Sequence, residues 1–394
     1  MTTINLLYEG RDDALKLLDN GEDVLKYLST DDKDVCPLIG KKIKLVKKLG
    51  EGEYGAVFEI HIPGQGNKQY AVKKSHSKER TTIRGCTVMK EYTVGKYPEQ
   101  TTVSKGDIVC DDVYTEYLIA LLAGKIARSG KSANFFDTFY FATCDDKKKQ
   151  AHYTFMEMID TSLRATLPCV SEKTYKKRQK GSMYPEVMDY ILVQTLHSIG
   201  VLQSWYKIVH GDLHTGNIFL EIVTPETTFG GKKLLEVDYY EYRINGKSIY
   251  IPGGKACPFI VKIGDWGLAS KFSKPQIFNK LVIKDGYTAS DGTKLIPNFY
   301  TPAYDVVYTV DVIWSLNRSN KFIADILSFI AGVPPTKLAN FHRQVQPRPT
   351  WDLMTRFAHV TPASILTDEK LMGDFSVRPD VDESKIALLG EFNE

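Results

Sequence analysis

The run Leu49-Gly50-Glu51-Gly52-Glu53-Tyr54-Gly55-Ala56-Val57 constrains what this chain can fold into more than any other segment. Three glycines at this spacing permit a tight turn whose backbone a ligand can approach, because no β-carbon blocks it or forbids the dihedrals. The flanks decide the architecture. Ile43-Lys44-Leu45-Val46 precedes the turn and Phe58-Glu59-Ile60 follows it, both strand-like in composition. A glycine turn of the dinucleotide-binding kind would open a helix. Here a second β-branched and aromatic run follows, so the segment reads as strand, glycine turn and strand. Tyr70-Ala71-Val72-Lys73 continues as a third strand, apolar and ending in a lysine.

Further along, the chain reads His210-Gly211-Asp212-Leu213-His214-Thr215-Gly216-Asn217, and later Asp265-Trp266-Gly267. Phosphoryl transfer needs a carboxylate to orient the attacking hydroxyl, and an amide oxygen with a second carboxylate to hold Mg²⁺ against triphosphate oxygens. Asp212, Asn217 and Asp265 are those residue types in that order. Asp212 and Asn217 have the spacing of a HxDLxxxN loop. A lysine at the end of a strand can reach the α- and β-phosphates. Side chains alternate along a strand, so Lys73 and Lys74 face opposite sides, and Lys73 is the preferred candidate over Lys74.

With these signatures in one order, the chain resembles the eukaryotic-type protein kinase superfamily from about Ile39 to the helix starting at Asp305. The resemblance implies an α+β, bilobal fold, with a small β-rich N-lobe carrying one helix and a mainly helical C-lobe. It implies ATP and Mg²⁺ as cofactors, with Asp212 as catalytic base and Asn217 and Asp265 as metal ligands. The nucleotide would be cradled by Leu49, Gly50, Glu51, Gly52, Glu53, Tyr54, Gly55, Ala56 and Val57, and held by Lys73. In that family the lysine pairs with a glutamate on a helix. Glu116 fits, since Asp112 to Arg128 carries an apolar stripe of Leu118, Leu121, Leu122 and Ile126; Glu91 is the competitor. His152 to Asp160 resembles the strand and hinge beside adenine. Met156 would neighbour the base, and the Glu157 carbonyl and Ile159 amide would bond it. The resemblance further implies a serine or threonine of a protein as acceptor.

Several positions depart from the family pattern. Gly211 stands where many kinases have an arginine that contacts a phosphorylated segment, His214 replaces a lysine and could donate to the γ-phosphate, and Trp266 replaces a phenylalanine. Thr301-Pro302-Ala303-Tyr304 lacks the glutamate of the family's Ala-Pro-Glu triplet. Asp305 aligns with the aspartate that anchors the catalytic loop, with Asp311 the other possibility. Gly211, His214 and Trp266 also suit small-molecule kinases of the aminoglycoside and choline type, which remain an alternative, as does a non-catalytic kinase-like scaffold.

The 394 residues, 43% hydrophobic, suffice for two lobes, and a formal charge of +3 does not imply nucleic acid. Cysteines 36, 86, 110, 144, 169 and 257 lack metal-site spacing and read as free thiols in a reducing compartment. No segment reads as a signal peptide, and Phe322 to Val333 is too short to span a bilayer. An intracellular, soluble protein is expected. Residues 1–38 form an acidic extension with two short amphipathic helices over Ala14, Leu17, Leu18, Leu25 and Leu28. Residues 39–160 form the N-lobe and hinge, and 161–394 the C-lobe, shortened beyond Val333. An insertion at 75–110 follows the lysine strand, and basic residues cluster at 172–180. Asn217 and Asp265 lie 48 positions apart, so a second insertion, about 222–258, intervenes. Asn245-Gly246 marks a hairpin inside it. That hairpin, Ser132-Ala133-Asn134-Phe135 and the strand Val261-Lys262-Ile263 resemble serine/threonine kinases of large DNA viruses.

Overall fold

The computed structural model describes residues 3–20, 32–52, 55–64, 69–76, 86–88, 92–94, 101–103, 107–146, 149–170, 184–279, 282, 287–288, 294–296, 300–346 and 348–394. They form a mixed α+β chain, β-rich in its first part and helical towards its C-terminal part. Two compact units draw on interleaved segments: 1–125, 136–159 and 265–285 in the first, 126–135, 160–264 and 286–394 in the second.

The first unit is built on a five-stranded antiparallel sheet. Its order is Lys44–Gly52, Gly55–His61, Tyr70–His76, Lys149–Glu157, Thr138–Asp146. The glycine turn closes the first hairpin with Gly52 opposite Gly55, while Glu53 and Tyr54 lie outside the described residues. The second hairpin closes with Asp146 opposite Lys149. One face carries the core, with Ile60, Tyr70, Val72, Phe139 and Phe155 buried together. The helix Thr3–Asn20 packs against Thr138–Asp146. Leu7, Ala14 and Leu18 are buried in this contact, and Tyr8 meets the Phe139 ring edge-on at 5.3 Å. Burying a leucine contributes roughly 1.5–3 kcal/mol, enough for two such residues to dock a short helix. This helix carries Ala14, Leu17 and Leu18 of the expected extension; Leu25 and Leu28 lie outside the described residues.

The free-thiol reading fails here. Cys36 and Cys144 form a disulfide across a sequence separation of 108. Cys110 is disulfide-bonded too, and its strand Ile108–Cys110 sets it opposite Cys86. The reason is tertiary: the turn Cys36–Leu38 lies on the strand that carries Cys144, a proximity that spacing rules do not register. Cys257 is a free thiol, and burial pushes its pKa up to about 12. Disulfides persist in oxidising surroundings, so the reducing-compartment inference loses its basis. The 75–110 insertion contributes strands: Ile108–Cys110 pairs antiparallel with Cys86–Val88 and parallel with Ile277–Asn279. Glu91 and the basic residues at 172–180 lie outside the described residues.

The second unit is organised by the helix Tyr184–Tyr206, on which Met188, Leu192, Leu196, Ile199 and Leu202 are buried at helical spacing. Thr161–Ser162, Ile218–Ile222 and Phe259–Ile263 form a three-stranded sheet. The Asn245-Gly246 hairpin joins Tyr239–Ile244 to Lys247–Pro252. Both turn residues have positive φ, 50° and 77°, as a two-residue hairpin turn requires. The strand Ile386–Phe392 adds in parallel beside Tyr239–Ile244. Beyond Val333, the longest helix among the described residues is Leu338–Val345, at 8 residues. No single described helix is long and apolar enough to cross a membrane.

Candidate active site

In the first unit, three of the sequence-selected side chains meet. Lys73 lies on the strand Tyr70–His76, opposite Thr154 on one neighbour and Val57 on the other. Its Nζ donates to both carboxylate oxygens of Glu116, each at 2.7 Å, and lies 3.3 Å from Asp265 Oδ1. Lys74 faces away, its ammonium 5.5 Å from the centre of the Tyr153 ring. Glu116 is placed by the helix Asp112–Arg128, whose Leu118, Leu121, Leu122 and Ile126 are buried. Burial alone would lower the Lys73 pKa, but the charges of Glu116 and Asp265 outweigh it and hold the ammonium above its ordinary value. Burial pushes the Glu116 carboxyl up to about 7 against the pull of Lys73. A two-oxygen contact at 2.7 Å is that of ammonium with carboxylate, so the pair is ionised above that pH. Asp265 adopts φ 65°, a left-handed conformation uncommon outside glycine and often found at functional positions. Trp266 beside it is buried.

Of the glycine turn, Gly50 has no atom within 4 Å of where a β-carbon would stand, leaving its backbone approachable. Gly55 has a different reason to be glycine: a β-carbon there would collide with the Lys74 carbonyl of the neighbouring strand. Leu49 and Glu51 are exposed on the first strand, and Ala56 and Val57 are partly buried on the second. Glu157 ends its strand, and its side chain accepts from the Asp137 N–H at 3.1 Å. Met156 and Ile159 are partly buried.

In the second unit, residues 210–217 form a loop fixed by polar groups within it and beyond it. The buried Asp305 carboxylate accepts from the His210 N–H at 2.6 Å and the Gly211 N–H at 2.9 Å. Burial raises its pKa to about 6, and those two amides pull it back towards the ionised form. Asp311 instead contacts His342 Nδ1 and Gln346 Nε2. Asp305 is thus the residue that holds the loop. Gly211 adopts φ 77°, a conformation costly for other residues. Asn217 Nδ2 donates to the Asp212 carbonyl at 2.8 Å, which turns the amide oxygen to the opposite side of the group. His214 Nδ1 accepts from the Gly216 N–H at 2.9 Å, so the neutral ring carries its proton on Nε2. That atom lies 3.9 Å from Asp212 Oδ1, placing a donor beside the carboxylate. A β-carbon at Gly216 would press on the His214 ring and displace it.

Sequence reasoning missed Arg348, whose Nη2 donates to Asp212 Oδ1 at 2.6 Å and Nη1 to the Gly211 carbonyl at 2.8 Å. Nothing in its Pro-flanked surroundings signals a role, because the contact joins residues 136 positions apart. It also missed what Asn134 and Gln194 do. Asn134 Nδ2 donates to the Val261 carbonyl at 2.8 Å, and Gln194 Oε1 accepts from the Val261 N–H at 2.9 Å. Tyr242 Oη donates to the same Gln194 oxygen at 3.2 Å, tying the second insertion to the long helix.

No cluster of three or more His, Cys, Asp or Glu suited to a metal occurs among the described residues. Mg²⁺ does not require one, since it is commonly held by one or two carboxylates together with substrate phosphates and water. Asp265 in the first unit and Asn217 in the second each carry a hard oxygen donor of that kind. Compared with known proteins, the chain matches no family model and no curated protein.

Proposed function

We propose that this chain is an ATP-dependent protein kinase that transfers the γ-phosphoryl group of ATP to serine or threonine hydroxyls. The observation that carries this reading is the buried contact of Lys73 with both oxygens of Glu116, with Asp265 3.3 Å from the same ammonium. A lysine this desolvated is a strong electrostatic partner for phosphate oxygens, and its carboxylate partner fixes its position. The kinase-like bilobal fold is part of the same proposal.

In this mechanism the exposed backbone at Gly50 lies over the phosphates, and Lys73 holds the α- and β-phosphates. Glu157 and Ile159 offer main-chain groups to adenine. Asp212 orients the acceptor hydroxyl and takes its proton as the bond to phosphorus forms and the bond to the leaving ADP oxygen breaks. His214 Nε2 donates to the γ-phosphate. Mg²⁺ would be held by Asn217 and Asp265 and would supply charge neutralisation for the triphosphate. The protein substrates are defined only by their hydroxyl acceptors.

The test is transfer of labelled phosphate by the purified chain to a basic protein, an acidic protein, aminoglycosides and choline. Protein phosphorylation that falls by on the order of 10²-fold or more in Asp212→Asn, with ATP binding retained, is expected. Transfer only to small molecules, or equal protein phosphorylation by the variant, refutes the assignment.

A further inference from the structure

We infer that Arg348 is a positioning residue for Asp212, a role that rests on the kinase reading above. The main chain of the loop is held from one side by Asp305, through the His210 and Gly211 amides, and from another by Asn217, through the Asp212 carbonyl. Those contacts fix the backbone and leave the Asp212 side chain to be aimed. Arg348 does the aiming. One guanidinium nitrogen binds Asp212 Oδ1 at 2.6 Å while a second binds the Gly211 carbonyl at 2.8 Å. The planar fork thus references the carboxylate to its own backbone, a geometry that a lysine's single ammonium cannot reproduce. Both partners are largely shielded, with side-chain exposures of 16% for Arg348 and 21% for Asp212, so the contact is weakly screened.

The charge state agrees. Burial opposes the Arg348 cation, but Asp212 more than restores it, and Tyr304 and Tyr308 add to the effect. At position 211 the left-handed backbone disfavours an arginine in place of the glycine. The cation beside the proposed base comes from the segment after the helix Leu338–Val345. Through one oxygen it sets the torsion of a carboxylate whose task depends on sub-ångström placement.

The experiment compares wild type, Arg348→Gln, Arg348→Lys, Asp212→Asn and the Asp212→Asn/Arg348→Gln double variant. Phosphorylation kinetics and thermal unfolding are measured on the full chain. Expected are a 10- to 100-fold fall in kcat for Arg348→Gln with KM for ATP within about twofold, and partial recovery in Arg348→Lys. Arg348→Gln should cost nothing more in the Asp212→Asn background, since both act through one carboxylate. Wild-type kcat in Arg348→Gln overturns the inference. So does a rise in kcat, which would mean that Arg348 masks Asp212. If Arg348→Gln does not fold, a kcat loss in folded Arg348→Lys with unchanged KM decides for positioning, and wild-type kcat there decides against it. Failure of the kinase reading looks different: wild type and Asp212→Asn would then be equally unable to phosphorylate protein, and both proposals fall.

Discussion

His197 should make this protein acid-labile by an amount that a single substitution can isolate. Its ring is buried on the helix Tyr184–Tyr206, 4.6 Å from the Tyr242 ring and 5.2 Å from that of Phe392. Gly390 lies so close that a β-carbon there would overlap the imidazole. Burial lowers its pKa from 6.5 to about 3, with the Arg243 main chain offsetting only part of that effect. The folded state therefore holds the ring neutral where the unfolded chain protonates it. A depressed pKa gives stability that is fully present above pH 6.5 and is lost as pH falls towards 3. Each pH unit within that window costs about 1.4 kcal/mol, and the whole window roughly 4–5 kcal/mol as an upper value. A typical domain is stable by only about 5–15 kcal/mol, so this one ring can dominate acid unfolding of its unit. The measurement is urea unfolding of wild type and His197→Leu at half-unit steps from pH 7.5 to 4. Carboxylates titrate alike in both proteins, so the difference in stability isolates the imidazole. The wild-type curve should drop relative to the variant by about 1.4 kcal/mol per unit below pH 6. Parallel curves would refute the burial argument.

Lys73→Ala should abolish phosphorylation and leave Glu116 as a buried carboxyl without its ammonium partner, whereas Lys74→Ala, which changes a side chain set against Tyr153, should retain most activity; steady-state assays of the two variants check this. Cys36→Ser or Cys144→Ser should lower unfolding stability by about 2–4 kcal/mol, read from denaturant midpoints with and without reductant, because the bond closes a loop of over a hundred residues in the unfolded chain. Reductant should shift the wild type and leave the variants nearly unchanged at this bond.

What could be read from the sequence was local. The Asn245-Gly246 turn rests on two adjacent residues that tolerate positive φ, and the facing of Lys73 and Lys74 follows from strand alternation alone. The pairing of Lys73 with Glu116 came from the family resemblance, and the apolar stripe of Asp112 to Arg128 only selected Glu116 over Glu91. Asp305 against Asp311 stayed open because both lie on one buried helix, and only the geometry at His210 and Gly211 separates them. Contacts between distant segments left no trace. Arg348 reaches Asp212 from a Pro-rich stretch, Cys36 reaches Cys144 through a three-residue turn, and Ile386–Phe392 is a short apolar run that finds a sheet edge created by an insertion. Gly55 has a further reason to be glycine that its sequence context does not show, the Lys74 carbonyl of the neighbouring strand.

The parallel strand Ile386–Phe392 has a consequence for biosynthesis. Its partner Tyr239–Ile244 leaves the ribosome well before it, with Tyr239 destined to lie opposite Ile386. Until the later strand arrives, the hairpin has only Lys247–Pro252 beside it, and the other edge of Tyr239–Ile244 presents an unpaired ladder that any extended chain can copy. Pairing over such a separation is slow, since the loop-closure entropy must be overcome before the contact forms. Synthesis therefore passes through an interval in which that edge is open to pairing with other extended chain, the kind of exposure from which misassembly starts.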